Sequence, residues 1–218
     1  KEVTAIDKEV FKDNKFIKSV KFNKSVRFIG ESAFENCAYL REIVLSENIV
    51  AIANCAFKNC RRLERIAIPK SLIAAGFELF NGCDNILECI FPMDMNYLGG
   101  SPYTFCKNLK KVNIPHCVSD TSHWFCGMPN IEEIIIGENA SRFPPLDLHR
   151  LTLATFSVKA GWKSMKNFFD PDEEEISESN FTTPKKAALT LKKLAKDGKT
   201  LFRPSDSMSF DYWLDLTK

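Results

Sequence analysis

The stretch AFKNCRRLERIAIPKSL at residues 56–72 decides the fold of this 218-residue chain. Its opening AFKNC follows an AFENC at 33–37 by 23 residues, and LFNGC at 79–83 keeps the same frame. A Phe and a Cys that recur three positions apart at a fixed long interval have two explanations. Either the cysteines build a metal or redox site, or both residues fill the core of a structural repeat.

Five columns of apolar or small residues run through six copies of this frame. The first column holds Phe11, Phe34, Phe57, Phe80, Tyr103 and Phe125, and the second holds Asn14, Cys37, Cys60, Cys83, Cys106 and Met128. The third is Ile17, Leu40, Leu63, Ile86, Leu109 and Ile131. The fourth is Val20, Ile43, Ile66, Cys89, Val112 and Ile134, and the fifth is Phe22, Leu45, Ile68, Phe91, Ile114 and Ile136. This register indicates a repeat protein whose units bury their apolar stripes against one another.

The spacing between columns changes along each repeat. The first three columns lie at i, i+3 and i+6, which suits one face of a short helix or 3-10 turn. The last two lie at i and i+2, the period of a strand with one buried face. The sequence therefore predicts an α/β solenoid with a parallel β-sheet on the concave side, short helices or 3-10 turns on the convex side, and a C-terminal helical tail.

The pattern A-F-x-x-C-x-x-L-x-x-I-x-I-P resembles the BspA-like leucine-rich repeats, also called the Treponema pallidum type, over about residues 9–153. Members of that family are mostly bacterial and protozoan surface or secreted proteins that bind other proteins or host matrix. The resemblance implies an extracellular or cell-surface protein with a protein ligand, such as a host or matrix protein. A cytoplasmic location is the alternative, because the predicted unpaired thiols fit a reducing compartment.

Composition excludes some partner classes. Hydrophobic content of 44% and charged content of 27% are those of an ordinary soluble globular protein. A net charge of +2 gives no overall attraction to nucleic acid, and no apolar run approaches the ~20 residues that span a bilayer. We therefore predict no nucleic-acid partner and no membrane insertion. The sequence leaves the oligomeric state open, with a monomer favoured.

The chain divides into three predicted parts: a solenoid with a C-terminal cap at 1–169, an acidic linker at 170–180 and a helical tail at 181–218. LHRLTL at 148–153 predicts a seventh strand, with Leu148, Leu151 and Leu153 in the last three columns. KAGWKSMKNFF at 159–169 places Trp162, Met165 and Phe169 at helical spacing, which predicts a short capping helix.

Two helices are predicted in the tail. TPKKAALTLKKLAKDG at 183–198 has Thr183 as candidate N-cap, Pro184 at the first helical position and Gly198 after the last turn. SFDYWLDL at 209–216 predicts a second, shorter helix. This pair either docks on the solenoid or receives a partner.

The cysteine column is predicted to be core rather than a site. Coils with side-by-side helices are expected about 8–10 Å apart, whereas a disulfide needs Cα atoms about 4.4–6.8 Å apart. Thiols spread over successive coils do not converge on one ion as tetrahedral zinc requires. Cys55, Cys117 and Cys126 lie outside the column, and Cys126 is a candidate reactive thiol if exposed.

No catalytic motif is present: the sequence lacks G-x-S-x-G, P-loop, H-E-x-x-H and G-x-G-x-x-G patterns. We therefore predict a non-enzymatic protein with no catalytic residues, no metal site and no cofactor.

The repeat pattern is interrupted at two places, and each has two interpretations. Gly99 and Gly100 either serve the backbone of a wide loop or belong to a loop that contacts a partner. Trp124 is either an exposed interface anchor or folded under the neighbouring coil.

The open face of the predicted sheet is the candidate binding surface. Its charged column alternates in sign from the second member onward: Ser19, Glu42, Arg65, Glu88, Lys111, Glu133 and Arg150. The column between the two inward positions is Lys21, Val44, Ala67, Ile90, Asn113, Ile135 and Thr152. The charges either fix strand register or, with the apolar strip, form a protein-binding groove. The candidate contacts are Glu42, Val44, Arg65, Ala67, Glu88, Ile90, Lys111 and Asn113.

Two functional hypotheses follow. In the first, the protein is a non-enzymatic interaction or adhesion module that binds a protein ligand on its concave sheet face and edge loops. In the second, it is an intracellular scaffold in which the helical tail at 181–218 carries partner binding and the repeats only support it.

Overall fold

The repeated columns fold into a parallel β-solenoid of about six turns, which is followed within the described residues by one α-helix. The computed structural model describes residues 2–118, 121, 124–140, 142–143, 150–158, 162–165, 174–197 and 200–202. The predicted fold class is confirmed. Its parallel sheet, called the first sheet below, forms two blocks with strand orders β2-β4-β6 and β8-β10-β11-β13. These strands are β2 (Ser19–Lys21), β4 (Glu42–Val44), β6 (Arg65–Ile66), β8 (Glu88–Cys89), β10 (Lys111–Ile114), β11 (Glu133–Ile136) and β13 (Leu153–Phe156).

A second parallel sheet, which the sequence analysis missed, lies elsewhere on the same coils. Its strands are β1 (Ala5–Ile6), β3 (Phe28–Ile29), β5 (Ala51–Ile52), β7 (Ala74–Ala75) and β9 (Tyr97–Leu98), paired in that order. Each strand has only two residues, which is too short for an alternation of buried and exposed positions to be recognised in the sequence. The second residue of each strand points inward, and four of these five are buried.

The Phe–Cys segments form tight turns rather than helices. The Cys37 N–H donates to the Phe34 carbonyl at 3.1 Å, and the Leu40 N–H donates to the Cys37 carbonyl at 3.0 Å. These i to i+3 bonds are those of a 3-10 turn. Ser32 and Asn36, at φ of 53° and 60°, are left-handed, and this stops the turn from growing into a helix.

The core is built from the five columns. The rings of successive Phe residues stack with centroids 5.0 Å apart for Phe11–Phe34, 5.4 Å for Phe34–Phe57 and 5.6 Å for Phe57–Phe80. The predicted distance of about 8–10 Å between coils was wrong here, because turns rather than helices lie side by side. Stacked rings add about 0.5–1.5 kcal/mol per pair beyond their burial.

The seventh strand exists, but its predicted register was wrong. β11 pairs with β13 through Ile134↔Ala154 and Ile136↔Phe156, so Leu151 occupies the third column instead of the fourth. Leu151, Ala154 and Phe156 are all buried. These three residues have the same spacing as Ile131, Ile134 and Ile136. The observed register is favoured because it buries all three apolar side chains.

The region after the solenoid departs most from prediction. The described part of the proposed capping helix at 159–169 is a strand, β14 (Lys163–Met165). It lies in an antiparallel sheet of order β12-β16-β14-β15. The other strands are β12 (Arg142–Phe143), β15 (Glu174–Glu175) and β16 (Thr200–Phe202). Trp162 is buried as expected of a cap, but Phe169 lies outside the described residues.

The acidic segment at 170–180 contains regular structure in its described part. It supplies β15 and most of a 3-10 helix, Glu178–Phe181, whose Phe181 is buried with a ring centroid 4.7 Å from that of Phe156. The described residues of the predicted linker therefore have regular secondary structure. The division into parts at 1–169, 170–180 and 181–218 stays a prediction.

The first tail helix is confirmed. Helix α1 spans Pro184–Lys196, and the Thr183 Oγ1 accepts a hydrogen bond from the Lys186 N–H at 3.3 Å, as an N-cap does. One face of α1 is buried and contacts β13. Its buried residues are Ala187, Ala188, Leu191 and Leu194. The predicted helix at 209–216 lies outside the described residues.

Candidate functional site

The open face of the first sheet carries the apolar strip that the sequence predicted. Val44 is 42% exposed and Ile90 is 37% exposed, with the exposed Ala67 between them in the column. Val44 is the last residue of β4, which pairs in register with β6, Glu42 opposite Arg65 and Ile43 opposite Ile66. Ala67 and Ile90 each follow directly after a strand, β6 and β8, and these two strands belong to different blocks of the first sheet. Three neighbouring coils thus present small or branched apolar side chains to solvent.

The charged column forms ion pairs between neighbouring strands. Arg65 Nη1 lies 3.8 Å from Glu42 Oε1, and Lys111 Nζ lies 3.1 Å from Glu133 Oε2. Glu88 pairs in register with Lys111, yet none of the ion pairs of the described residues involves its carboxylate. Opposite charges on neighbouring strands contribute about 0.2–1 kcal/mol each and favour this register.

Arg150 does not belong to the charged column. The strand partner of Glu133 is Leu153, and Arg150 lies in a turn three residues before it. The alternation of charge therefore ends at Glu133.

Asn113 is the candidate contact that the structure contradicts. It is 0% exposed, although its position in the strand was predicted to face solvent. Its Oδ1 accepts from the Phe91 N–H at 2.8 Å, and its Nδ2 donates to the Phe91 carbonyl at 2.7 Å and to Met93 Sδ at 3.0 Å. The buried amide satisfies backbone groups of the neighbouring coil, so it is not available to a ligand.

A polar groove that the sequence analysis missed lies beside the start of the strands. Its volume is about 560 Å³, and its lining residues are Glu64, Arg65, Asn85, Leu87, Asn108, Lys110, Asn130 and Arg150. The three asparagines stand two positions after the second column, at Cys83, Cys106 and Met128, which was the available signal. The groove extends the predicted surface from Arg65 toward the strand-entry loops.

A second surface was missed because the second sheet was missed. Phe28 and Tyr97 are 49% and 48% exposed and stand at either side of Ala51 and Ala74 in one in-register column. The exposed Phe77 ring meets Tyr97 edge to face at 6.3 Å. This aromatic patch is more apolar than the open face, and nothing in the structure shows what covers it.

The cysteine column is core, as predicted. Each thiol donates to a Phe carbonyl of the neighbouring coil: Cys60 Sγ lies 3.2 Å from the Phe34 oxygen and Cys83 Sγ lies 3.1 Å from the Phe57 oxygen. All eight cysteines are free, with Cys117 and Cys126 exposed. Burial raises the pKa of Cys37 and of Cys106 to about 12, so both stay protonated at neutral pH.

The described residues offer neither a metal site nor a membrane-spanning helix. Within the described residues no group of three or more His, Cys, Asp or Glu side chains is placed to hold a metal ion. Among the same residues, no helix is long and apolar enough to cross a membrane.

The structure decides the alternatives for Trp124 and for Gly99 in favour of packing. Trp124 is buried, and its ring meets Tyr103 edge to face at 5.7 Å. A Cβ on Gly99 would lie 2.4 Å from the Phe77 backbone nitrogen, whereas one on Gly100 would lie 3.6 Å from the nearest atom of the Phe77 ring. Gly99 therefore serves close approach of two backbones, and Gly100 does not.

Comparison with known proteins gives one family. The model of the BspA type leucine rich repeat region matches residues 4–132 in six copies. A T. pallidum leucine rich repeat protein is 25% identical, with a TM-score of 0.59 over 68% of this chain and 72% of its own. A Bacteroides ovatus leucine-rich repeat protein is 26% identical, with a TM-score of 0.53 over 72% of this chain and 46% of its own.

A Faecalibacterium prausnitzii leucine rich cell surface protein shares the fold at 22% identity, with a TM-score of 0.59 over 73% of this chain and 44% of its own. This chain thus spans less than half the length of the last two proteins. A search of curated proteins finds no match. The repeated Phe–Cys–Leu frame, its tight turns and the family match over more than half of the sequence agree: the chain belongs to the BspA-type leucine-rich repeat family.

Proposed function

We propose that this protein is a non-enzymatic binding module that takes a protein ligand on the open face of its first sheet. The observation that carries the proposal is the exposed strip of Val44, Ala67 and Ile90 beside the charged column. Leucine-rich repeats generally act as protein-interaction modules, which supports this assignment over a catalytic one.

The arrangement suits recognition because it is rigid and chemically mixed. Strand pairing fixes the backbone at Val44 and at the charged residues Glu42, Arg65 and Glu88, so a ligand orders few protein groups there on binding. The strip supplies an apolar centre, and Glu42, Arg65 and Glu88 supply a charged rim that selects partners by charge complementarity. The groove beside Arg65 adds asparagine amides that can donate to or accept from a polypeptide backbone. The proposed contacts are Glu42, Val44, Arg65, Ala67, Glu88, Ile90 and Lys111.

A peptide-display selection tests the proposal without a known ligand. Peptides are selected on the whole protein, and their affinity is then measured for the variant Ala67→Arg. The matched control is Ala74→Arg, since Ala74 is a strand alanine of the second sheet. We expect the selected peptides to lose at least about tenfold in affinity for Ala67→Arg and to bind Ala74→Arg unchanged. If the affinity of the selected peptides falls only for Ala74→Arg, the binding surface is the aromatic patch and the proposal is overturned.

We also propose that the protein acts outside the cell or at its surface, as a monomer. Membership of a family rich in surface and secreted proteins supports the location. Protease treatment of intact source cells, followed by detection with an antibody to the chain, tests it. Loss of the signal is the expected result, and a protected signal that disappears only after lysis contradicts it.

A further inference from the structure

The exposed face of helix α1 carries an unbalanced positive charge. Five lysines stand in this 13-residue helix, and none of its residues is acidic. They are Lys185, Lys186, Lys192, Lys193 and Lys196. Four of the five are exposed, Lys192 is half-buried, and none of them takes part in an ion pair of the described residues. The whole chain has a net charge of only +2, so this face is a local concentration of charge.

Folding does not explain this pattern. Lys185 and Lys186 lie in the first turn, where the positive end of the helix dipole disfavours cations. Lys186 also occupies the third helical position, where a Glu would complete a capping box with Thr183. Lys192 and Lys196 are four residues apart, a spacing at which like charges destabilise a helix. Only Lys193 and Lys196 gain from the dipole at the last turn.

An exposed leucine lies in the middle of the lysines. Leu189 is 65% exposed, while the apolar residues on the other face of α1 are buried against the protein. Along the exposed face, Lys185, Leu189, Lys192 and Lys196 follow one another at three- or four-residue steps, a stripe about 17 Å long at 1.5 Å per residue. Because β13 already buries the opposite face, this stripe is the surface that α1 offers to a partner.

We propose that the lysine stripe of α1 docks on an acidic protein surface that has an apolar pocket for Leu189. An apolar centre within a charged rim is the anatomy of a protein–protein contact, and a helix that inserts apolar anchors into a groove is a recurrent recognition mode. Five lysines that form no ion pair with any described acidic side chain favour carboxylates on the partner. The proposal goes beyond binding at the first sheet, because it assigns a separate surface with its own partner chemistry.

Two synthetic polymers separate the charge from the apolar contribution. Poly-L-glutamate presents carboxylates alone, and a glutamate–leucine copolymer presents carboxylates with apolar side chains. The whole protein is expected to bind both at about 20 mM salt, to prefer the copolymer, and to bind both at least tenfold more weakly at about 300 mM salt. The variant Leu189→Ala is expected to lose the preference for the copolymer while still binding poly-L-glutamate.

The double variant Lys185→Glu/Lys186→Glu tests the lysines, and its thermal midpoint is expected to rise because the helix dipole favours acids in the first turn. We expect it to bind both polymers at least about tenfold more weakly. The matched control is Lys15→Glu/Lys18→Glu, a pair of exposed lysines on the first coil of the solenoid that lie outside the open face of the first sheet. An equal loss in the control would overturn the proposal.

Two further outcomes bear on the class of partner. Duplex DNA presents phosphates alone, and vesicles of phosphatidylglycerol present phosphates above an acyl layer that can take up an apolar side chain. Tighter binding to either of them than to the copolymer, abolished by the same double variant, would overturn the assignment of a protein partner. Weaker binding to both supports it. None of these outcomes depends on Ala67, so the proposal and the first-sheet function can fail separately.

Discussion

The side-chain amide of Asn113 is hydrogen-bonded to the Phe91 backbone in the way that a neighbouring strand would be. It accepts from the Phe91 N–H and donates to the Phe91 carbonyl. Backbone pairing between β8 and β10 ends at Cys89 and Val112. The amide thus satisfies both Phe91 backbone groups just beyond the point where the ladder stops. This bond pair makes a polar residue on the predicted binding face part of the core.

Removal of this amide should destabilise the protein strongly. Asn113→Ala leaves the buried N–H and C=O of Phe91 without partners, which we expect to lower the free energy of unfolding by about 2–4 kcal/mol. Urea unfolding followed by circular dichroism measures the change. Asn108→Ala on the groove is the control, expected within about 0.5 kcal/mol of the wild type because Asn108 is exposed. Equal values for the two variants would contradict the assigned role.

The two neighbouring glycines of the fourth coil should respond differently to the same change. Gly99→Ala places a Cβ 2.4 Å from the Phe77 backbone nitrogen, so two coils must separate. We expect a loss of about 1–3 kcal/mol, as for overpacked cores. Gly100→Ala meets only the Phe77 ring at 3.6 Å and should change the free energy of unfolding little. Similar thermal midpoints for the two variants would show that coil contact does not depend on Gly99.

A stacked Phe ring should contribute most to the free energy of unfolding where it has neighbouring rings on both sides. Phe57 lies between Phe34 and Phe80, with centroids 5.4 and 5.6 Å away, and is fully buried. Phe57→Ala is expected to cost about 3–5 kcal/mol of unfolding free energy. Phe16→Ala, at an exposed position on the first coil, is the control and should be close to neutral. Chemical denaturation midpoints at equal slope compare the two.

Alkaline pH should weaken the fold. Burial raises the pKa of Cys37 and Cys106 to about 12, against an ordinary thiol value near 9 in the unfolded chain. The stabilisation from keeping these thiols neutral is complete below about pH 9 and is lost as the pH rises toward 12, because only the unfolded chain then releases the protons. Urea midpoints from pH 8 to 11.5 should fall, and the fall should be shallower in Cys37→Ala/Cys106→Ala.

A control variant accompanies the measurement of urea midpoints against pH. Phe16 is exposed and carries no titratable group, so Phe16→Ala should leave the slope of the urea midpoint against pH unchanged. A slope that stays the same when Cys37 and Cys106 are both removed would mean that groups other than the thiols cause the alkaline loss.

Repetition made the core of the solenoid predictable. The frame that places Phe34, Cys37 and Leu40 on one coil recurs on the next coils, and these positions are buried as the columns require. The start of α1 was also predictable, since Thr183 and Pro184 carry local capping signals that need no distant partner.

Other features depended on contacts between residues far apart in the sequence. β14 is a strand because Lys163 lies opposite Phe202, and Asn113 is buried because its amide binds the Phe91 backbone just beyond the last backbone pair, Cys89 and Val112. The short strands of the second sheet gave no pattern of their own. The sequence by itself determined which residues repeat and therefore which must be covered. Tertiary structure alone decided how the last coil is closed and which polar and apolar side chains remain for a partner, because each depends on what the neighbouring chain leaves exposed.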